Sequence, residues 1–306
     1  MTPERSALLR LLGGAVCISF APVFVQLVNV PPTTSAFYRT LIGGFALIGI
    51  AIVRKRSFAV GPKTFWALVL AGLLFALDLG IWHRSITLVG PGLSTLLANF
   101  QVFILALAGV LIFREKLRWE LLLSIPVAIV GVSMIVGFEW QSLTPEYRTG
   151  VILGLLTAFF YASYVLSLRR ARTIQPRRTG AIVDVALASV FSTLFLYLGA
   201  QLTGESLAIP GGRDLSLLIG YAMVTQVAGW VLISSSLPML PASRVGLVLL
   251  LQPTLAYLWD VLFFDQPMTP MKLTGAVLAL GAIWLGSRSP SSDHQTQTTR
   301  QNLDVQ

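Results

Sequence analysis

The chain has 306 residues, of which 55% are hydrophobic and only 11% are charged, and its formal net charge is +9. Soluble proteins carry roughly 25% charged residues, so this composition excludes an ordinary aqueous domain and indicates a protein embedded in lipid. One cysteine, Cys17, excludes an internal disulfide, and two histidines are too few for a His/Cys zinc site. The sequence has no P-loop, nucleophile elbow or dinucleotide fingerprint, so we predict no cofactor, no metal and no nucleic-acid partner.

Ten apolar segments follow one another, each about long enough to cross a bilayer, which takes about 20 residues at 1.5 Å per residue. Clusters of proline, glycine and charged residues separate them. We therefore predict an all-α integral membrane protein with ten transmembrane helices, and a disordered cytoplasmic tail over residues 288–306. The predicted helices are Leu8–Val30, Thr34–Val53, Thr64–Thr87, Pro91–Phe113, Trp119–Val136, Gly150–Leu168, Ala181–Leu202, Leu215–Leu237, Pro241–Phe264 and Met271–Leu285.

The distribution of lysine and arginine predicts the orientation in the membrane, because cytoplasmic loops are enriched in both. With the N-terminus in the cytoplasm, seventeen of the 22 Lys and Arg residues lie on the cytoplasmic side and four lie outside. The remaining one, Arg39, lies inside the second segment. We therefore predict that both termini are cytoplasmic.

The two halves of the chain repeat. Residues 96–113 align without a gap with residues 247–264, and six positions are identical, among them Gln101 and Gln252. Pro91 and Pro241 each open the helix that carries the match, a position that proline favours. Since each half has five helices, the second runs in the opposite sense, which is the construction of many secondary transporters. We predict repeats over residues 1–140 and 149–287.

Several longer motifs agree with this construction: SAFYRTLIGG around Arg39, the run LDLGIWHRSITLVGPGLSTLLANFQVF, and PASRVGLVLLLQPTLAYLWDVLFF in the second half. With them, the chain resembles the EamA family of the drug/metabolite transporter superfamily over about residues 8–287. One position departs from the pattern, because Gln266 stands where the first repeat has Glu115. The resemblance implies a bacterial inner (plasma) membrane protein that is not an enzyme and exports amino acids or similar small metabolites by alternating access.

Polar and aromatic residues at mid-membrane depth are the candidate substrate site. Asn99 and Gln101 follow Pro91 by eight and ten positions, which places them about 12–15 Å deep. Polar residues at this depth are costly and rare, so several together favour a polar cavity over simple interhelical hydrogen bonds, which average about 0.6 kcal/mol. The predicted substrate-binding residues are Asn99, Gln101, Gln226 and Gln252, with Trp230 and Tyr161 as aromatic walls.

Two ionisable residues lie deep enough to need a partner. We predict that Arg39 pairs with Asp78, either as a fixed ion pair or as a moving gate, because an unpaired charge at that depth is costly. Trp82, His83 and Arg84 are predicted at the outer mouth, where they could meet lipid headgroups or attract an anionic group.

Two alternatives to a transporter stay open. An integral-membrane enzyme would need a cluster of His, Asp, Glu or Cys near an interface, and His83 with Asp78 is the nearest approach to one. A membrane scaffold would have a sealed, apolar midplane. For a transporter, the expected partners are a small-molecule substrate and the lipid bilayer, and assembly as a homodimer is left open.

Overall fold

The structure is a computed structural model that describes residues 3–113, 119–136, 143–174, 180–240, 245, 248–249, 251–264 and 269–287. These residues contain ten helices, α1–α10, in the predicted order. The predicted tail over residues 288–306, Pro241 and Gln266 lie outside the described residues. The helices are α1 Pro3–Leu27, α2 Pro32–Val53, α3 Pro62–Val89, α4 Pro91–Ala98 with Gln101–Phe113, α5 Trp119–Val136, α6 Pro145–Ile174, α7 Gly180–Thr203, α8 Gly212–Ser236, α9 Leu251–Phe264 and α10 Pro270–Ser287.

The surface of the bundle is that of a membrane protein. Helices α1, α2, α3, α6, α7 and α8 are each long and apolar enough to cross a membrane, and α4, α5 and α10 contain shorter apolar helices. Large apolar side chains point outward along them, including Phe45 at 67% exposure and Leu202 at 88%. Such a surface is stable only against lipid, so the chain is an all-α multi-pass membrane protein.

Helix α6 is longer than predicted at both ends. The apolar pattern predicted Gly150–Leu168, whereas the helix runs over Pro145–Ile174. Proline is favoured in the first turn, Glu146 lies near the positive end of the helix dipole and Arg172 lies near its negative end. These polar ends extend the helix beyond the apolar segment, and hydropathy alone does not detect them.

The helix contacts have the symmetry of an inverted repeat. Helix α3 packs on α6 as α8 packs on α1, and α4 contacts α6 as α9 contacts α1. The pairs α2–α7, α4–α9 and α5–α10 also pack on each other. If α1 is exchanged with α6, α2 with α7, and so on to α5 with α10, this set of contacts is unchanged. Because five is odd, exchanged helices run in opposite directions, and the prediction of two inverted five-helix repeats is confirmed.

The loops after α2 and α7 repeat in atomic detail. A residue with positive φ follows each helix, Lys55 at 51° and Gly204 at 68°. The next N–H in each case bonds to the carbonyl five residues earlier, at 2.9 and 3.1 Å, which closes the helix in a Schellman-type turn. Ser57 and Ser206 then each accept a hydrogen bond from the backbone N–H two residues on, at 3.1 and 3.2 Å. The sequence match here is too short to be found without the structure.

Glycines allow helices of the two repeats to approach closely. A Cβ on Gly131 of α5 would lie 2.7 Å from the carbonyl oxygen of Gly275 of α10, and one on Gly275 would lie 2.5 Å from that of Gly131. In α6, a Cβ on Gly150 or Gly154 would lie within 2.8 Å of the side chains packed against it. Backbones this close fix the spacing of helices around the centre of the bundle.

Candidate functional site

A partly open cavity lies at mid-length of the bundle, lined by residues of both repeats. Its walls come from α1, α2, α3 and α4 of the first repeat and from α6, α8 and α9 of the second. The predicted site residues that line it are Asn99, Gln101, Gln252, Tyr161, Trp230, Arg39, Asp78 and Trp82.

Helix α4 is interrupted where it meets the cavity. It stops at Ala98 and resumes at Gln101, and the N–H groups of Val102 and Phe103 bond to carbonyls three residues earlier, at 3.1 and 3.0 Å. The side chain of Asn99 donates to the carbonyl of Thr95 at 2.8 Å. An irregular backbone at membrane depth is tolerated where it lines a cavity.

This interruption corrects our expectation of an unbroken helix over residues 91–113. The partner helix α9, which carries Pro253, is continuous over its described residues Leu251–Phe264. Asparagine side chains compete with the helical backbone for hydrogen bonds. Asn99 was therefore the signal in the sequence for this interruption.

Buried polar atoms without a protein partner are concentrated at the cavity. Each such atom costs about 1–3 kcal/mol unless water or a ligand satisfies it, so native structures seldom keep several together. The group contains both hydrogen-bond donors and acceptors, so the cavity suits a ligand with both. The atoms are Asp78 Oδ1, Asn99 Oδ1, Gln101 Oε1, Gln252 Nε2, Tyr161 Oη, Trp82 Nε1 and Trp230 Nε1.

Trp230 forms the aromatic wall of the cavity and also belongs to the core. It is fully buried, and its ring meets the rings of Tyr164 and Phe75 edge-on at centroid distances of 4.7 and 5.5 Å. The ring of Tyr161 lies 5.8 Å away, and its hydroxyl is near the amides of Gln101 and Gln252, outside hydrogen-bond geometry. This packing fixes the position of the wall, because edge-to-face rings hold one another in place.

Arg39 does not make the expected direct pair with Asp78. Its Nε donates to Gln226 Oε1 at 3.1 Å and its Nη1 donates to the Tyr221 hydroxyl at 2.9 Å. The guanidinium also lies 4.9 Å from the Tyr221 ring centre and 5.3 Å from that of Phe75. Both charged residues are in the described part of the chain, where no ion pair joins them. Both hydrogen-bond partners of the guanidinium are residues of α8. Spacing along the sequence could not predict this contact between α2 and α8.

Gln226 lies behind the cavity wall, which corrects its predicted place among the substrate-binding residues. Its oxygen accepts from Arg39 and its Nε2 donates to Ser189 Oγ at 2.8 Å. It belongs to a π-helical turn, Ala222–Gly229, whose wider winding is frequent at functional sites. Gly43 of α2 permits the approach, since a Cβ there would lie 2.6 Å from Gln226 Cγ. The side chain therefore positions Arg39.

The three residues predicted at the outer mouth lie in three different environments in the structure. Trp82 lines the cavity, and His83 is fully buried, with Nε2 2.9 Å from the Tyr221 hydroxyl and Nδ1 3.0 Å from the carbonyl of Pro32. Arg84 is about one-third exposed and pairs with Glu205. Consecutive residues on a helix are turned by about 100°, so three in a row cannot share one opening.

Two carboxylates near the ends of their helices are buried. Asp260 of α9 is 7% exposed and accepts from the N–H of Gly92 at 2.9 Å, which joins α9 to the first turn of α4. Asp184 of α7 is 1% exposed and binds Arg172 of α6 at 3.0 Å. Both carboxylates bind a group on another helix. The depth of a residue along its own helix does not predict such contacts.

The sequence pattern of the EamA-like transporter family matches residues 5–137 and 148–288, one segment in each half. The chain belongs to the EamA-like transporter family. Its segments cover most of the helical bundle, and the cavity lies between the helices of the two matched regions.

Relatives of this EamA-like transporter are similar along nearly their whole length. It is 25% identical over 280 residues to the probable amino-acid metabolite efflux pump of Salmonella typhimurium, covering 88% of this chain and 89% of the relative. It is 26% identical over 302 residues to the threonine/homoserine exporter RhtA of Escherichia coli K12, covering 98% and 93%. The uncharacterized transporter YvbV of Bacillus subtilis is 25% identical over 264 residues, covering 83% and 82%.

One solved crystal structure superposes on the transporter with a TM-score of 0.66 at 18% identity. It covers 92% of this chain and 96% of the other. At this identity the match supports the fold alone, and it is independent of the family pattern.

Proposed function

We propose that this protein is a secondary transporter that exports a small metabolite, an amino acid or a similar polar or aromatic compound, by alternating access. One observation carries the proposal: a cavity between two inverted repeats, lined by buried polar atoms that no protein group satisfies. Membership of a transporter family supports the class of function, and the names of two relatives, an amino-acid metabolite efflux pump and a threonine/homoserine exporter, support the class of substrate.

The lining suits a compound that must be released as well as bound. Gln101 and Gln252 supply amides, which donate and accept hydrogen bonds without the desolvation cost of a full charge. Phe75, Leu79 and Trp230 supply apolar surface on the same cavity. Moderate polar contacts beside a fixed aromatic wall give selectivity, and they keep the affinity low enough for the substrate to be released in each transport cycle.

Neither alternative class has a comparable observation behind it. For an enzyme, the described ranges contain no group of three His, Cys, Asp or Glu residues that could bind a metal ion. A scaffold would have no use for unsatisfied polar atoms at its centre, each of which costs stability. We therefore keep transport as the single proposed function.

We propose the bacterial inner (plasma) membrane as the location, with both termini cytoplasmic and repeats over residues 1–140 and 149–287. The asymmetry of lysine and arginine supports this orientation. The loops after α2 and α7 offer a matched test, because Ala59 and Ala208 are both exposed at equivalent turns.

In a Cys17→Ser background, we expect Ala208→Cys to react with an impermeant thiol reagent in intact cells and Ala59→Cys to be protected. The reverse labelling pattern would contradict the orientation. The expected partners are the small-molecule substrate and lipid, and light scattering of the purified protein in detergent would decide between a monomer and a homodimer.

The function is tested by measuring metabolites inside and outside cells that overexpress the protein. We expect the wild type to deplete one class of small metabolite inside and enrich it outside. Gln101→Ala should reduce this export by about tenfold or more, the size expected for losing a polar contact of about 1–3 kcal/mol. Gln201→Ala, an amide lost from an exposed site in α7, is the matched control. Identical metabolite levels in all three cultures would contradict the proposal.

A further inference from the structure

Two hydrogen-bond acceptors face the cavity from neighbouring helices. Asp78 of α3 and Asn99 of α4 are each 3% exposed, and Oδ1 of each is buried without a hydrogen-bond partner. The Asn99 amide is held in one orientation because its Nδ2 donates to the carbonyl of Thr95 at 2.8 Å. Its oxygen is therefore the amide atom left without a partner, in a residue that lines the cavity. An amide oxygen and a carboxylate oxygen only accept hydrogen bonds, so neither can satisfy the other.

The arginine that lines the same cavity has its hydrogen bonds elsewhere. Arg39 lines the same cavity, but its hydrogen bonds go to Gln226 and Tyr221, and among the described residues no ion pair connects it to Asp78. The cavity therefore contains one positive and one negative group that do not neutralise each other by direct contact. An unpaired carboxylate at membrane depth is costly, and such residues usually mark a functional site.

We propose that Asp78 and Asn99 bind the protonated amine of the transported compound. A primary ammonium group carries three donors and no acceptor, so it matches two acceptors on adjacent helices. Hydrogen bonds between charged groups are shorter and stronger than neutral ones, which favours Asp78 as the main contact. The site would then reject compounds whose amine is blocked, since their binding would leave Asp78 unsatisfied. The proposal rests on the proposed function only for the claim that the bound amine is then transported.

A coupled proton is the other chemistry that a buried carboxylate can carry. A single proton would need one acceptor, whereas here a second acceptor on α4 is held facing the same cavity as the carboxylate. The two acceptors together fit an ammonium group better. The experiments below separate the two cases.

The first test is binding, measured as thermal stabilisation of the purified full chain in detergent. The probes are threonine, phenylalanine and 2-phenylethylamine, each compared with its N-acetyl derivative. We expect at least one unblocked amine to raise the melting temperature of the wild type, and none of the N-acetyl derivatives to do so. Equal stabilisation by both forms, or no stabilisation by any unblocked amine, would overturn the proposal.

Variants then locate the contact. Asp78→Asn should weaken binding of the active probe by about tenfold or more, and Asn99→Ser by a smaller factor, as expected for losing hydrogen bonds to a charged group. Asp78→Glu, which keeps the charge, should recover part of the affinity. Glu146→Gln removes an exposed carboxylate from the first turn of α6 and should change nothing. If Asp78→Asn does not fold, Asn99→Ser can be tested with the same pairs of free and N-acetylated amines. Unchanged amine binding by the Asn99→Ser variant would overturn the proposal.

Counterflow of the labelled probe in proteoliposomes separates this proposal from the proposed function. Wild-type binding of amines without any counterflow would contradict transport while leaving the amine site intact. Normal counterflow in Asp78→Asn would overturn the amine site while leaving transport intact. In that second case, loss of accumulation against a gradient would assign Asp78 to a coupling proton.

Discussion

Two polar regions lie side by side at the centre of this membrane protein, and they are built in opposite ways. In the first, which we call the Arg39 network, Arg39, Tyr221, Gln226, His83 and Ser189 bond to one another across α2, α3, α7 and α8. In the second, the cavity, polar atoms of similar burial are left without protein partners. Satisfied buried groups hold helices together, whereas unsatisfied ones indicate a place kept for a ligand or water.

The comparison predicts its largest effect at Arg39. Arg39→Ala should destabilise the folded protein by about 3 kcal/mol, because it removes two buried hydrogen bonds from a charged group, those to Tyr221 and Gln226. Thermal unfolding in detergent would measure this. Arg213→Ala, at an exposed position in the first turn of α8, is the control. Equal melting temperatures for the two variants would break the distinction between the two regions.

A glycine pair in α2 tests how tightly the Arg39 network is packed. Gly43→Ala would place a Cβ 2.6 Å from Gln226 Cγ, so we expect a loss of about 1–3 kcal/mol from overpacking. Gly49→Ala, in the same helix, meets nothing within 4 Å and should stabilise by up to about 1 kcal/mol through helix propensity. Denaturation of both variants under identical conditions gives the sign of each effect. Similar values would mean that the approach of α2 to α8 is loose.

A serine pair tests the far end of the same network. Ser189 Oγ accepts from Gln226 and donates to the carbonyl of Val185, so Ser189→Ala should cost about 1 kcal/mol. Ser163 makes the same bond to a carbonyl four residues back, that of Phe159, at a half-buried position without a further hydrogen bond from an amide among the described residues. Ser163→Ala should therefore cost measurably less. An equal cost would show that the bond to Gln226 adds nothing.

The smallest effect on stability is expected in the cavity. Gln101→Ala and Gln252→Ala remove amides that each have an unpartnered atom, so we expect changes within about 1 kcal/mol in unfolding. Transport should nevertheless fall by about tenfold or more in each. The two variants thus reverse the pattern of Ser189→Ala, which should lower stability. Strong destabilisation by either glutamine variant would assign that amide to helix packing instead of substrate binding.

The structure also separates two kinds of prediction that failed. Arg39 was predicted to pair with Asp78 and His83 to lie at the outer mouth, but their hydrogen-bond partners, Tyr221 and Gln226, lie on a helix more than 130 residues away in the chain. The interruption of α4 at Asn99 failed for a different reason. Its signal, an asparagine within an apolar helix, was present in the sequence, but we assigned Asn99 to substrate binding alone.

By itself, the sequence determined the ten apolar helices, their order and their inverted relation, because bilayer thickness fixes segment length and an odd number of helices fixes the inversion. It also marked Asn99, Gln101 and Gln252, since polar residues at mid-membrane depth are rare. Only the tertiary structure decided which polar groups are satisfied. That depends on how each helix is rotated against its neighbours: Gln226 turns towards Arg39 and Asp78 turns towards the cavity. A rotation of this kind follows from packing of all the helices together, and no single segment encodes it.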